Sequence, residues 1–226
     1  MAMVDSPTRS PAVASDVAGI VLAAGNGRRF GGPKQFETVG GMRMVDRAVE
    51  LLRPFCDHIT VVLTPGRLWD GPAVDAVVPG GLVRTESVRR GFAAVPSSAA
   101  LVVVHDSARP LATAGTVMDV IAAIRGGADA AVPMWLPPDT VKRQLPNGVF
   151  EHVGRDDLRI TQVPMAFGSN VLRRLFVEFA EVPIEETIGI EAFGGRVVAV
   201  AGDPWSHHVV TPRDIRLADA LLALRE

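Results

Sequence analysis

An alternation constrains this chain more than any single motif does. Short, continuously apolar runs are separated by longer amphipathic ones. The runs VAGIVLAA (17–24), HITVVLT (58–64), LVVVHD (101–106), ADAAVPM (128–134) and RVVAVAG (196–202) are β-branched or alanine-rich and bounded by turn residues. A strand that is apolar on both faces belongs in a sheet covered on both sides, as parallel sheets are. Between these runs, 44–53, 86–95 and 114–127 carry apolar residues at i, i+3, i+4 and i+7, the spacing of one helix face. Gly126-Gly127 supplies a helix stop, and a closing helix is expected with Thr211 as N-cap, Pro212 at N1 and Asp214 at N3. The expected fold is α/β: a doubly wound, mainly parallel sheet with right-handed crossovers. In such folds ligands bind beyond the carboxyl ends of the strands.

Two stretches fall outside the alternation. Residues 1–16, rich in Ser, Pro and Ala, have neither the apolar core nor the basic start of a signal peptide and are expected to form a mobile tail. Residues 135–160 contain three prolines and an Asn147-Gly148 turn between VKRQL and VFEHV, a hairpin pattern. This β-arm is expected to project from a single domain over 17–226 and, being weak alone, to pack on a second subunit in a homodimer. With a net charge of −2, the 226-residue chain lacks the basic excess of a general nucleic-acid or membrane-surface binder. No run reaches membrane-span length, and the one cysteine, Cys56, allows no internal disulfide. Cys56 is expected to be a buried, inert thiol, and the chain to be cytoplasmic.

Three loops carry residue types suited to chemistry. LAAGNGRRFGGPKQF (22–36) follows the first run and sets bare backbone beside Arg28, Arg29 and Lys34. Backbone N–H groups and neighbouring cations of this kind can cradle a phosphate. The spacing is neither that of a Walker A box nor that of a dinucleotide fingerprint, so a plain surface turn stays open. In VVVHDSARP, Asp106 ends a strand, where its carboxylate could ligate Mg²⁺ or cap the next turn. Arg109 could meet an anion or pair with Asp106, and His105 reads as a packed strand-end residue. In GGLVRTESVRRGF, Gly80 and Gly81 could expose backbone to a nucleobase, and Ser87 either joins them or only starts a helix.

Taken in order, LAAGxGxRxxxxxPKQF, GGxxRxxSVxxG, VHDxARP and DTxK make the chain from about residue 17 onward resemble the 2-C-methyl-D-erythritol 4-phosphate cytidylyltransferase family. The resemblance implies a CTP-dependent nucleotidyltransferase of the non-mevalonate isoprenoid pathway, with Mg²⁺ and a homodimer joined by β-arms. It implies that Ala23, Ala24, Gly25 and Gly27 lie along CTP while Arg29 and Lys34 hold its phosphates. Gly81 and Ser87 would sit at the cytosine and ribose end, with Arg84 supporting that loop. Asp106 would bind Mg²⁺, and Arg109 and Thr140 would meet a polyol phosphate, joined by Arg155 from the partner's arm. The chain departs from the family pattern on the acceptor side. Val163 stands where the family has a threonine, and Ile184-Glu185-Glu186 stands in place of a TDD or TDE stretch. His208 falls where a phosphate-binding lysine is expected, exchanging a permanent cation for one only partly charged near pH 7. Asp203 could serve as a second metal ligand, and His207 with His208 could instead be a solvated pair with no ligand.

Overall fold

The computed structural model describes residues 16–225. In chain order the strands and helices begin with β1 (Val17–Ala23), β2 (Thr38–Val39), β3 (Met42–Arg43), α1 (Met44–Leu52), β4 (His58–Leu63), β5 (Ala76–Pro79), α2 (Arg84–Ala93), β6 (Leu101–Asp106), α3 (Ala114–Arg125) and β7 (Ala130–Trp135). There follow β8 (Val141–Gln144), β9 (Phe150–Val153), β10 (Ile160–Thr161), β11 (Met165–Gly168), α4 (Ser169–Glu178), α5 (Glu186–Ala192), β12 (Val197–Ala201) and α6 (Pro212–Ala223). The expected tail lies outside the described residues except for Asp16. That residue's carbonyl accepts from Ala100 and Leu101 N–H, and its carboxylate faces Arg125 at 3.3 Å.

Eight strands form one mixed sheet, ordered β10-β7-β11-β6-β1-β4-β5, with β12 also on β7. Strands β1, β4, β5 and β6 run parallel, as do β7 and β12, while β10 and β11 run antiparallel to β7. Because β12 occupies one edge of β7, β10 and β11 share the other, separated by Gln162, Val163 and Pro164. The mainly parallel, doubly wound expectation therefore holds. The antiparallel β11 is what alternation could not show, since MAFG is too short to display any period.

Every residue of β1 is buried. Residues on alternate positions divide between two apolar clusters, one on each face: Val17, Val21 and Val103 on one, Ile20, Leu22 and Val104 on the other. At about 1.5–3 kcal/mol for each fully buried Val, Leu or Ile, these two layers dominate the fold's stability. Helix α1 buries Met44, Val45, Ala48, Val49 and Leu52 along one stripe. Helix α3 starts at Thr113, whose hydroxyl accepts from Thr116 N–H at 3.2 Å, and ends at the expected glycines, with Gly127 at φ +93°. At α6, Asp214 accepts from the backbone N–H of Thr211 at 2.8 Å and of Val210 at 2.9 Å. The arm forms the expected hairpin, β8 pairing with β9 in a separate two-stranded sheet, with Gly148 at φ +82° in its turn.

Strand order places the site. From β1 the chain winds outward to β4 and β5, then returns to lay β6 on β1's other side. The loops leaving β1 and β6 thus diverge at the switch point of the sheet. No helix of the described residues is long and apolar enough to cross a membrane.

Candidate functional site

A cleft of about 720 Å³ opens at the carboxyl ends of β1, β4, β5 and β6. Its walls are the loop after β1, the Thr64-Pro65 turn after β4, the Gly80–Val83 loop and first turn of α2, and Asp106 to Ala108 after β6. Of the residues singled out in the sequence, Ala23, Ala24, Gly25, Gly27, Arg29, Lys34, Gly81, Arg84, Ser87 and Asp106 all line it.

The glycine loop is shaped from below. Gly27 sits at φ +61°, and a Cβ there would fall 1.7 Å from Gly32 O, so the loop closes on itself only with glycine at this position. Buried Gln35 donates its side-chain amide to Ala23 O at 2.8 Å and Gly25 O at 3.0 Å, pinning the loop to the end of β1. Above Gly25 the space is open, with nothing within 4 Å of an added Cβ. Gln35 stands in the PKQF stretch of the sequence, but nothing there gives it a role. Thr64 and Pro65 were also passed over, although they leave a neighbouring strand on the same edge.

The cations at this end differ in how they are held. Arg28 and Arg29 are exposed and make no ion pair among the described residues. Lys34 donates to Val209 O and approaches His208 Nε2 at 3.3 Å. A lysine ammonium has three protons to give, so one remains for a phosphate oxygen. Burial pulls the Lys34 ammonium below its ordinary range, Asp106 opposes that, and Arg29 adds to it.

Since lysine can only donate, His208 Nε2 must be the acceptor, which puts the imidazole proton on Nδ1 and leaves the ring neutral. Burial pushes His208 down to about 4, opposed by Asp106 and assisted by Lys34, Arg109 and Arg29. The partial cation that the sequence suggested near pH 7 is therefore corrected: it is discharged by its own surroundings. Nor are the two histidines a solvated pair, because His207 Nε2 lies 3.4 Å from Asp214 Oδ1.

Asp106 caps its turn and faces the cleft. Oδ1 accepts from Ala108 N–H at 2.9 Å, capping the turn, while the residue still lines the cleft across from Lys34. Arg109 does not pair with it. The Arg109 guanidinium donates to Ser206 O at 2.5 Å and Thr161 O at 3.4 Å, and burial draws it below its usual range. His105 is fully buried, and burial lowers it to about 4. It is a packed residue.

At the other end, Ser87 needs correction. The helix begins at Arg84, three residues before Ser87, which is buried inside its first turn. The Ser87 hydroxyl donates to Val83 O at 3.2 Å and accepts from Gly81 N–H at 3.1 Å. It closes the Gly80–Val83 loop onto the helix rather than starting the helix. A Cβ on Gly80 would lie 2.2 Å from that of Ala24, so this glycine lets the two loops touch.

Several predicted residues lie elsewhere. Thr140 and Arg155 are exposed on the arm and do not line the cleft; Arg155 donates to Pro138 O at 2.6 Å. Val163 is buried within the apolar cluster that holds Leu22, Val104 and Met165. Asp203 is spoken for: its carboxylate accepts from Arg225 at 2.5 Å and from Trp205 N–H at 2.8 Å. Cys56 is mostly buried, and burial pushes its thiol up to about 12.

The cleft thus sets a glycine loop, unpaired cations and one carboxylate at the switch point of an α/β sheet, a place suited to a phosphate-bearing ligand. The family model for 2-C-methyl-D-erythritol 4-phosphate cytidylyltransferase matches residues 17–224. A cytidylyltransferase of that name from Nocardia farcinica is 38% identical over 223 residues, covering 92% of this chain and 95% of its own. One from Frankia casuarinae is 37% identical over 227 residues, covering 95% and 84%. The crystal structure of the Thermus thermophilus enzyme superposes with a TM-score of 0.77 at 28% identity, over 91% of this chain and 98% of that one. The chain belongs to the 2-C-methyl-D-erythritol 4-phosphate cytidylyltransferase family.

Proposed function

We propose that this chain transfers CMP from CTP to 2-C-methyl-D-erythritol 4-phosphate in isoprenoid biosynthesis, with release of pyrophosphate. The observation that carries the reading is one cleft lined by the glycine loop, Lys34 and Asp106 at one end and by Gly81 and Ser87 at the other. Phosphates belong with the unpaired cations, and the nucleoside with the bare backbone of Gly80 and Gly81. Ala23, Ala24, Gly25 and Gly27 run between them, along the nucleotide.

An oxygen of the acceptor's phosphate attacks the α-phosphorus of CTP in line. The bond from that phosphorus to the oxygen bridging the β-phosphate breaks, and its electron pair leaves with pyrophosphate. The attacking oxygen is already anionic, so no general base is needed. The barrier falls through positioning and through charge stabilisation by Arg29 and Lys34, whose ammonium is held in place by Val209 O and neutral His208.

Among the described residues no three His, Cys, Asp or Glu side chains form a metal cage. A single carboxylate beside a phosphate site still suits Mg²⁺, which binds through one or two carboxylates plus phosphate oxygens. Asp106 would hold it, and the ion would neutralise charge building on the phosphates.

Arg109 is assigned to the acceptor, beside the cleft. Thr140 and Arg155 are assigned to the acceptor of a second copy, reached through the arm in a homodimer. Exposed Phe150, Val149 and Leu136 on and next to the arm support that docking, at 63%, 55% and 43% exposure. With a single cysteine and no internal disulfide possible, we place the chain in the cytoplasm.

The test is pyrophosphate release with Mg²⁺ and CTP on 2-C-methyl-D-erythritol 4-phosphate, beside a panel of other polyol phosphates. Turnover on the first supports the proposal. Neutral His208 and buried Val163 favour one second reading, transfer to a different phosphorylated alcohol, and turnover only elsewhere in the panel would establish it. CTP binding without turnover on any acceptor would refute catalysis.

A further inference from the structure

We infer that Glu186, outside the cleft, is a positioning residue for its nucleoside end and keeps that end free of net charge. The inference rests on the CTP reading above.

Glu186 opens α5 and has no exposed surface. One of its oxygens accepts from the Arg84 guanidinium, and the other is buried without a partner among the described residues. Burial raises the carboxyl, while Arg84 works in the opposite direction. Taking a carboxylate out of water is costly unless a partner offsets it, so the pair fixes both members.

Arg84 is the first residue of α2 and lines the cleft. The Gly80–Val83 loop is itself tied to this helix, through Ser87 to Gly81 N–H and through Arg90, which donates to Gly80 O at 3.0 Å. The helix in turn is clamped by the segment that leads into α5. Thr85 Oγ1 donates to Ile184 O at 2.8 Å, and Arg89 donates to Phe179 O at 2.9 Å and Ala180 O at 2.7 Å. Among the described residues Glu186 is the carboxylate of that clamp, and it grips a side chain that lines the cleft.

Charge follows the same division. Both arginines at the nucleoside end are offset, Arg84 by Glu186 and Arg90 by Glu86. Arg28 and Arg29 at the other end have no such partner among the described residues. A triphosphate therefore finds uncompensated cations at one end only, and this asymmetry orients the nucleotide in the cleft.

Glu186→Gln removes the charge and keeps the shape. Calorimetric binding of CTP and of inorganic tripolyphosphate, with Mg²⁺ throughout, separates the two ends. The Kd for CTP is expected to rise about tenfold while that for tripolyphosphate stays within about twofold or tightens. Unchanged CTP binding, or loss of both ligands in step as general loosening would produce, overturns the inference. If the glutamine variant does not fold, Glu186→Asp retains the charge on a shorter arm, and the same selective loss of CTP is expected with smaller size. A parent chain that binds tripolyphosphate but not CTP overturns the nucleotide reading instead, a separate failure visible before any variant is made.

Discussion

Arg29 and Arg109 stand on loops leaving neighbouring strands, β1 and β6, and they are held in opposite ways. Arg29 is exposed and unpaired among the described residues, whereas Arg109 is strung between the carbonyls of Ser206 and Thr161. The contrast extends to the regions around them. The proposed nucleotide side keeps Arg28 and Arg29 available on a loop shaped by its own glycines and Gln35, with Lys34 held beside them by Val209 O. The proposed acceptor side commits its polar groups to the protein: His208 to Lys34, Asp203 to Arg225, and Arg109 to backbone. A site for a highly charged, flexible triphosphate needs free charge. A site for a smaller polyol needs its groups aimed in advance, and hydrogen bonds to carbonyls do that.

Substitutions can break or sharpen this contrast. The largest effect is expected at Lys34, where Lys34→Ala removes the one ammonium held inside the nucleotide side. It should lower kcat/KM about 10³-fold in a pyrophosphate-release assay, the scale of losing one preorganised charge-stabilising donor. A loss of less than about tenfold would move the phosphate grip elsewhere.

Next comes the double change Val163→Thr with His208→Lys, which restores the family pattern on the acceptor side. The structure predicts a fall of about tenfold in kcat/KM rather than a gain. A buried threonine hydroxyl without a partner costs about 1–3 kcal/mol, and a second ammonium would stand against Lys34. A gain would show that Val163 and His208 mark a lost acceptor.

Gln35→Ala unpins the glycine loop and should raise the KM for CTP several-fold, leaving the KM for the acceptor unchanged. An equal rise in both would dissolve the division between the two sides. Arg225→Ala frees Asp203 and the carbonyl of Leu111. It should raise the acceptor KM only two- to threefold, as expected for a partly exposed pair.

Stability should follow pH through His105 and His208, both pushed down to about 4 chiefly by burial. Each is neutral when folded and near 6.5 when unfolded, so the unfolded chain binds more protons between these values. The stability they contribute is present above pH 6.5 and is lost as pH falls toward 4. Denaturant midpoints at pH 7 and pH 4.5 measure the drop, and His105→Leu should make it smaller. Activity between pH 6 and 8 should show no step from His208.

Much of the proposed nucleotide side was legible in the residues. Its glycines, its cations and Asp106 sit in contiguous loops at strand ends, and strand order alone brings those ends together. The proposed acceptor side was harder to read, because its contacts join segments remote in sequence: Lys34 with His208, Arg109 with Ser206, Arg225 with Asp203. Ser87 could be placed near a helix start but not inside the first turn, since helix boundaries depend on hydrogen bonds that spacing does not report. Helix α4 follows β11 without a linker and carries Val171, Leu172 and Leu175 on its buried face. That pattern was present in the residues but hidden by a strand of four.

Periodic burial is a local property, and so the apolar runs, the amphipathic helices, the Asn147-Gly148 turn and the glycine stop of α3 follow from the chain alone. Protonation and partnership are not local. Whether His208 carries a charge depends on its burial, and on Asp106 and an ammonium 174 residues away. The same holds for Arg84, whose counter-charge lies 102 residues further along the chain. Only the tertiary structure brings such groups within reach and removes the water that would otherwise screen them.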